Sequence, residues 1–141
     1  MTVRARPVLV IDDSGVMRTV LTDMLKRVGC REVYTAKNAN EGIDMYQALQ
    51  PGLVLLDITM PEVPGTKVAS HILRQDPKAK VVVVTAVSRD VDLVESIISM
   101  GVYEYLRKPV KQVDLAAVLD RIDQESAMEA AAAAADADAS E

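Results

Sequence analysis

The sequence predicts an α/β fold, a single doubly wound domain whose parallel sheet is covered by helices on both faces. Three observations carry this. Short apolar runs and helical patterns alternate five times along the chain. The runs VLVI (8–11), LVLL (53–56) and VVVV (81–84) show no in–out alternation, and strands apolar on both faces belong to a buried parallel sheet. Half of the 141 residues are hydrophobic while Phe and Trp are absent, so the core is aliphatic and large enough for one domain.

The elements follow in order. Val8–Ile11 is the first strand. Met17, Val20, Leu21, Met24, Leu25 and Val28 then recur at spacings of three and four, one face of a helix that Ser14 caps and Gly29 ends. Val33–Ala36 is a short second strand, and the next helix is expected to start at an Asn40 cap and stop near Gln50, before Pro51-Gly52. Leu53–Leu56 is the third strand. A loop from Thr59 to Gly65 leads into a helix through Val68, Ala69 and Ile72. Val81–Val84 is the fourth strand, followed by a helix with Val91, Val94, Ile97 and Ile98 that ends at Gly101. Val102–Leu106 is expected as the fifth strand and Val113–Asp123 as the last helix. Residues 124–141 hold nine Ala, five acids and no Lys or Arg. This Ala-rich acidic tail, set apart from a domain at 1–123, is expected to be flexible or to extend the last helix.

In open α/β sheets ligands bind beyond the carboxyl ends of the strands. The residues at those ends are Asp12 and Asp13 after the first apolar run, Asp57 after the third, Thr85 after the fourth and Lys108 after the fifth. If the first and third strands are neighbours, three carboxylates converge. Two unit charges about 4 Å apart at an effective dielectric of about 20 repel by roughly 4 kcal/mol. A hard divalent cation relieves this, and magnesium suits carboxylates while keeping room for phosphate oxygens. A zinc site is not expected from the single His71 and the single Cys30. An aspartate beside a cation, with a lysine and a hydroxyl opposite, suits phosphoryl transfer to Asp57 as nucleophile.

The net charge of −5 argues against a nucleic-acid binder. Cys30 alone cannot form an internal disulfide, which fits a reducing, cytoplasmic setting. No apolar run approaches a membrane span.

Taken together, IDDSGVMR (11–18), LLDITMP (55–61) with Gly65, VTA (84–86) and RKP (107–109) resemble the receiver domain of bacterial response regulators, of the CheY-like single-domain type. The resemblance covers about residues 7 to 123. It implies a flavodoxin-like (βα)5 sheet in strand order 2-1-3-4-5 and a switch in a two-component, chemotaxis-like system. It implies that Asp57 accepts a phosphoryl group from a histidine kinase or histidine phosphotransfer protein. Magnesium would be held by Asp12, Asp13, Asp57 and the backbone carbonyl of Thr59, while Thr85 and Lys108 grip the phosphoryl group. Thr85 and Tyr105 would form the switch, Lys108–Pro109 would be cis, and Thr59 and Val87 would set phosphoryl lifetime. The protein would be a monomer that catalyses only its own phosphorylation and dephosphorylation. An output protein would bind the face of the fourth helix, fifth strand and fifth helix. The competing readings are a phosphate sink and a phosphorylation-independent docking module. A phosphohydrolase resembling the haloacid dehalogenases would need an acid where Thr59 stands, and IDDSG lacks the glycines of a dinucleotide loop.

Overall fold

The computed structural model describes residues 2–60, 63–86 and 91–139. Five strands, β1 (Val8–Ile11), β2 (Val33–Ala36), β3 (Leu53–Asp57), β4 (Val81–Thr85) and β5 (Glu104–Arg107), form one parallel sheet in the order β2-β1-β3-β4-β5. The helices are α1 (Gly15–Arg27), α2 (Ala39–Leu49), α3 (Gly65–Gln75), α4 (Val91–Ser99) and α5 (Gln112–Ala139). This is the flavodoxin-like (βα)5 architecture. In register, Val8 pairs with both Val33 and Leu53, Asp57 with Val84, and Thr85 with Arg107.

Every residue of β1, β3 and β4 is buried, because successive side chains serve two cores. Val8, Val10, Leu53, Leu55, Val82 and Val84 pack with Leu21 and Leu25 of α1 and Leu115, Val118 and Leu119 of α5. Leu9, Ile11, Val54 and Leu56 pack on the other face with Val68, Ala69 and Ile72 of α3 and Tyr46 of α2. Ile58, Val83 and Ile97 of α4 form a smaller cluster against Tyr105.

The helix ends correct the sequence reading in places. Ser14 Oγ accepts from the Met17 amide at 3.2 Å, and Gly29 takes the positive φ (103°) that ends α1. The cap of α2 is Asn38, not Asn40: Asn38 has extended backbone and its Oδ1 accepts from the Glu41 amide at 2.8 Å, which leaves Asn40 inside the first turn. Strand β5 starts at Glu104 rather than Val102, since the chain first meets β4 where the Tyr103 amide donates to the Val81 carbonyl.

Helix α5 does not stop at Asp123 but continues unbroken through the Ala-rich stretch to Ala139. Ala favours helix, and one contact fixes the start of the extension. The Tyr103 hydroxyl donates to Glu125 Oε2 at 2.8 Å. The Lys80 ammonium and the Arg121 guanidinium lie 4.9 and 5.7 Å from the Tyr103 ring centroid. From Ser126 to Ala135 every residue is exposed.

The sequence reading also passed over the segment before β1. Val3–Ala5 forms a 3-10 turn that fastens α1 to α5. Arg4 Nε donates to the Val28 carbonyl at 2.6 Å and its guanidinium pairs with Asp120 at 2.9 Å. The Val3 amide donates to Asp123 Oδ1 at 2.7 Å. Cys30 is buried.

Candidate phosphoryl-acceptor and metal site

The carboxyl ends of β1 and β3 lie side by side in the middle of the sheet, so the groups that follow them converge. Oxygens of Asp12, Asp13 and Asp57 lie within 4.8 Å of one another. Asp12 and Asp57 are 1% and 3% exposed, whereas Asp13 is open to solvent. The cluster is therefore a pit with two carboxylates at its floor and one at its rim.

Lysine is the counter-charge. The Lys108 Nζ stands 3.4 Å from Asp57 Oδ2 and 3.8 Å from Asp12 Oδ2. Its backbone is placed by the Lys108 amide, which donates to the Thr85 carbonyl at 2.9 Å, and the Lys108–Pro109 peptide is cis. Among the described residues one ammonium stands against three carboxylates, which leaves the pit negative. Asp12 shows the consequence. Its Oδ1 accepts from the Ser14 amide at 2.9 Å, but its buried Oδ2 has no hydrogen-bond partner among the described residues. Burial raises the Asp12 carboxyl above its ordinary pKa and the charge of Asp57 adds to the rise, while the Ser14 amide and Lys108 pull it down.

Asp57 is held on its other side. Its Oδ1 accepts from the Thr59 amide at 2.9 Å and from the Thr59 hydroxyl at 2.8 Å. The sequence points to the Thr59 carbonyl as a metal ligand and to position 59 as one that sets phosphoryl lifetime, but not to these two bonds. The available signal was a hydroxyl two residues after an aspartate, a spacing at which side chain and backbone close a local turn. Arg18 was also passed over: its guanidinium donates to the Asp12 carbonyl at 2.8 Å and braces the loop from α1. Gly65 is needed for space, since a Cβ there would collide with the Asp57 carbonyl and Ile58 Cα.

Thr85, 1% exposed, ends β4 one register step beyond the Asp57–Val84 pair. Tyr105 is half-buried on β5 opposite Val83 and packs in the α4 cluster. Val87 lies outside the described residues. His71 is 3.2 Å from Gln75 on α3, away from the pit.

Among the described residues the donor set fits a hard divalent cation: three carboxylates, one buried oxygen without a partner, and excess negative charge. Among the described residues no helix is long and apolar enough to cross a membrane.

A family model for the response regulator receiver domain matches residues 8–120. The chain belongs to the response regulator receiver family. Chemotaxis protein CheY of Thermotoga maritima is 31% identical to this receiver over 117 residues, 83% of this chain and 97% of that protein. CheY of Treponema pallidum is 36% identical over 117 residues, 82% and 78% of the two chains. A CheY-like receiver structure from Methanospirillum hungatei matches with a TM-score of 0.76 at 26% identity, covering 86% of this receiver and 98% of that chain. A CheX-CheY-BeF3-Mg complex from Borrelia burgdorferi matches with a TM-score of 0.76 at 26% identity, covering 83% and 88%. The receiver is thus a two-component signalling domain with chemotaxis relatives.

Proposed function

We propose that this receiver is a phosphorylation-dependent switch in which Asp57 is the phosphoacceptor. The observation that carries the reading is the Lys108 ammonium 3.4 Å from Asp57 Oδ2, in a pit with more carboxylates than cations. Asp57 Oδ2 attacks the phosphorus of a phosphohistidine on a histidine kinase or histidine phosphotransfer protein. The P–O bond forms as the P–N bond breaks, and the leaving imidazole takes up a proton from water. Lys108 and the Thr85 hydroxyl bind the phosphoryl oxygens. The Thr59 amide and hydroxyl keep Asp57 Oδ1 fixed, so the carboxylate presents one oxygen.

Asp12, Asp13, Asp57 and the Thr59 carbonyl would hold magnesium, as the donor set favours. When bound, it offsets the charge of the carboxylates and of the incoming phosphoryl group. Thr85 and Tyr105 share the α4 side of the sheet by register, which supports a switch in which Thr85 drawn toward the phosphoryl group frees space for the Tyr105 ring. The α4–β5–α5 face then changes its affinity for an output protein. Residues 1–123 act as the receiver, monomeric and cytoplasmic, and 124–141 as an appended segment.

The test is incubation with acetyl phosphate and magnesium followed by intact-mass measurement. A gain of one phosphoryl group that Asp57→Ala abolishes supports the reading. No gain from acetyl phosphate or from any histidine kinase tested overturns it in favour of a docking module.

A further inference from the structure

The opposite end of the sheet holds a second charged cavity, of about 100 Å³, where β3 and β4 begin. At about 3.3 Å per residue, it lies roughly 16 Å from Asp57. Its sign is reversed. Arg6 from the segment before β1 and Lys78 and Lys80 from the α3–β4 connection line it, with Asp76 the one acid. Asp76 is already hydrogen-bonded: its Oδ1 accepts from the Lys78 amide at 3.0 Å and its Oδ2 from the Tyr46 hydroxyl at 3.4 Å. None of the three cations forms an ion pair among the described residues.

Two of the cations are held in place. The Arg6 side chain lies against Gly52, where an added Cβ would stand 3.0 to 3.3 Å from its arm. The Lys80 ammonium rests over the Tyr103 ring, 4.9 Å from its centroid. Ser126 of α5 lines the same cavity and adds a hydroxyl. Three cationic residues against one acid give the cavity lining a net positive charge, and the ion that offsets it is an anion. The volume is several times the roughly 10–15 Å³ that admits a water and too small for a nucleotide.

We propose that this cavity is a binding site for a compact oxyanion of the phosphate type, free or at the end of a larger molecule. The bound anion bridges Arg6, the α3–β4 connection and Ser126, and so ties the root of the α5 extension to the sheet end remote from Asp57.

The test is a titration of the full chain with inorganic phosphate at constant ionic strength, followed by amide NMR. Saturable shifts are expected at Gly52, Ala79, Lys80 and Ser126. They should persist in Lys108→Ala, which removes the cation of the Asp57 pit. Affinity should fall by about tenfold for each charge removed in Lys78→Ala and Lys80→Ala. Gly52→Ala, which displaces Arg6 without changing charge, should also weaken binding. Phenyl phosphate is the second probe: binding equal to phosphate assigns the anion to the end of a larger molecule, and binding of phosphate alone assigns a free ion. Shifts that do not saturate, that survive the double lysine replacement, or that vanish in Lys108→Ala overturn the proposal.

Discussion

Neutralising Asp12 should stabilise the metal-free receiver at neutral pH. The perturbation is Asp12→Asn, which keeps an oxygen to accept from the Ser14 amide and offers Asp57 an amide donor. At an effective dielectric of about 20, repulsion between Asp12 and Asp57, within 4.8 Å, is at least about 3.5 kcal/mol, and attraction to Lys108 at 3.8 Å is about 4.4 kcal/mol. The two are of similar size. The deciding quantity is the desolvation of a carboxylate that is 1% exposed and has one oxygen without a partner among the described residues. Such burial costs a few kcal/mol, against which the weaker Ser14 bond of the amide loses about 1 kcal/mol. A net gain of about 1–3 kcal/mol is expected. The pH dependence has a definite sign. The folded-state pKa of Asp12 is raised, so the native protein holds this proton more tightly than the unfolded chain. The wild type therefore loses stability as pH rises from the ordinary carboxylate value through the raised one. The advantage of Asp12→Asn should be full above that window and shrink below it. Urea unfolding in a chelator across this range measures it, and magnesium should then stabilise the wild type more than the variant. A variant less stable than wild type at neutral pH, or stabilised equally by magnesium, would refute the reasoning.

Three further outcomes are expected. Gly65→Ala should destabilise by about 1–3 kcal/mol or more, because the colliding atoms are the backbone of Asp57 and Ile58 and cannot swing aside; thermal melts read this directly. The Tyr103 phenol is pushed up to about 12 by burial and then by its hydrogen bond to Glu125. Ultraviolet titration should place it there in the wild type and nearer its ordinary value in Glu125→Gln. The stability from this group is full below the unfolded value near 10 and lost as pH rises toward 12. Arg4→Ala removes the donor to the Val28 carbonyl and the pair with Asp120, and should cost about 1–2 kcal/mol in urea unfolding.

The fold was legible because the apolar runs are extreme. Val8–Ile11, Leu53–Leu56 and Val81–Val84 have no polar residue to place on a solvated face, so only a sheet covered on both sides accommodates them. The pit was legible because its groups sit at the ends of those same runs. What escaped notice depends on local geometry that residue type does not encode. Asn38 and Asn40 are equally good caps on composition, and only the backbone chooses between them. The two bonds from Thr59 to Asp57 depend on the turn the backbone takes just after β3. The Arg4 clasp joins residues far apart in the chain, and no periodicity announces such a pair.

The strand order has a consequence for how function appears during folding. Asp12, Asp57 and Lys108 come from the first, third and fifth strands, and no two of these side chains share a supersecondary unit. The pit exists only after contacts spanning most of the domain have formed, and such contacts carry the largest loop-closure cost. A partly folded intermediate holding α1 or the β1–β2 pair would have carboxylates but no pit. Pairing of β1 with β3 gathers the carboxylates, and the Lys108 counter-charge joins them only once β5 is in place.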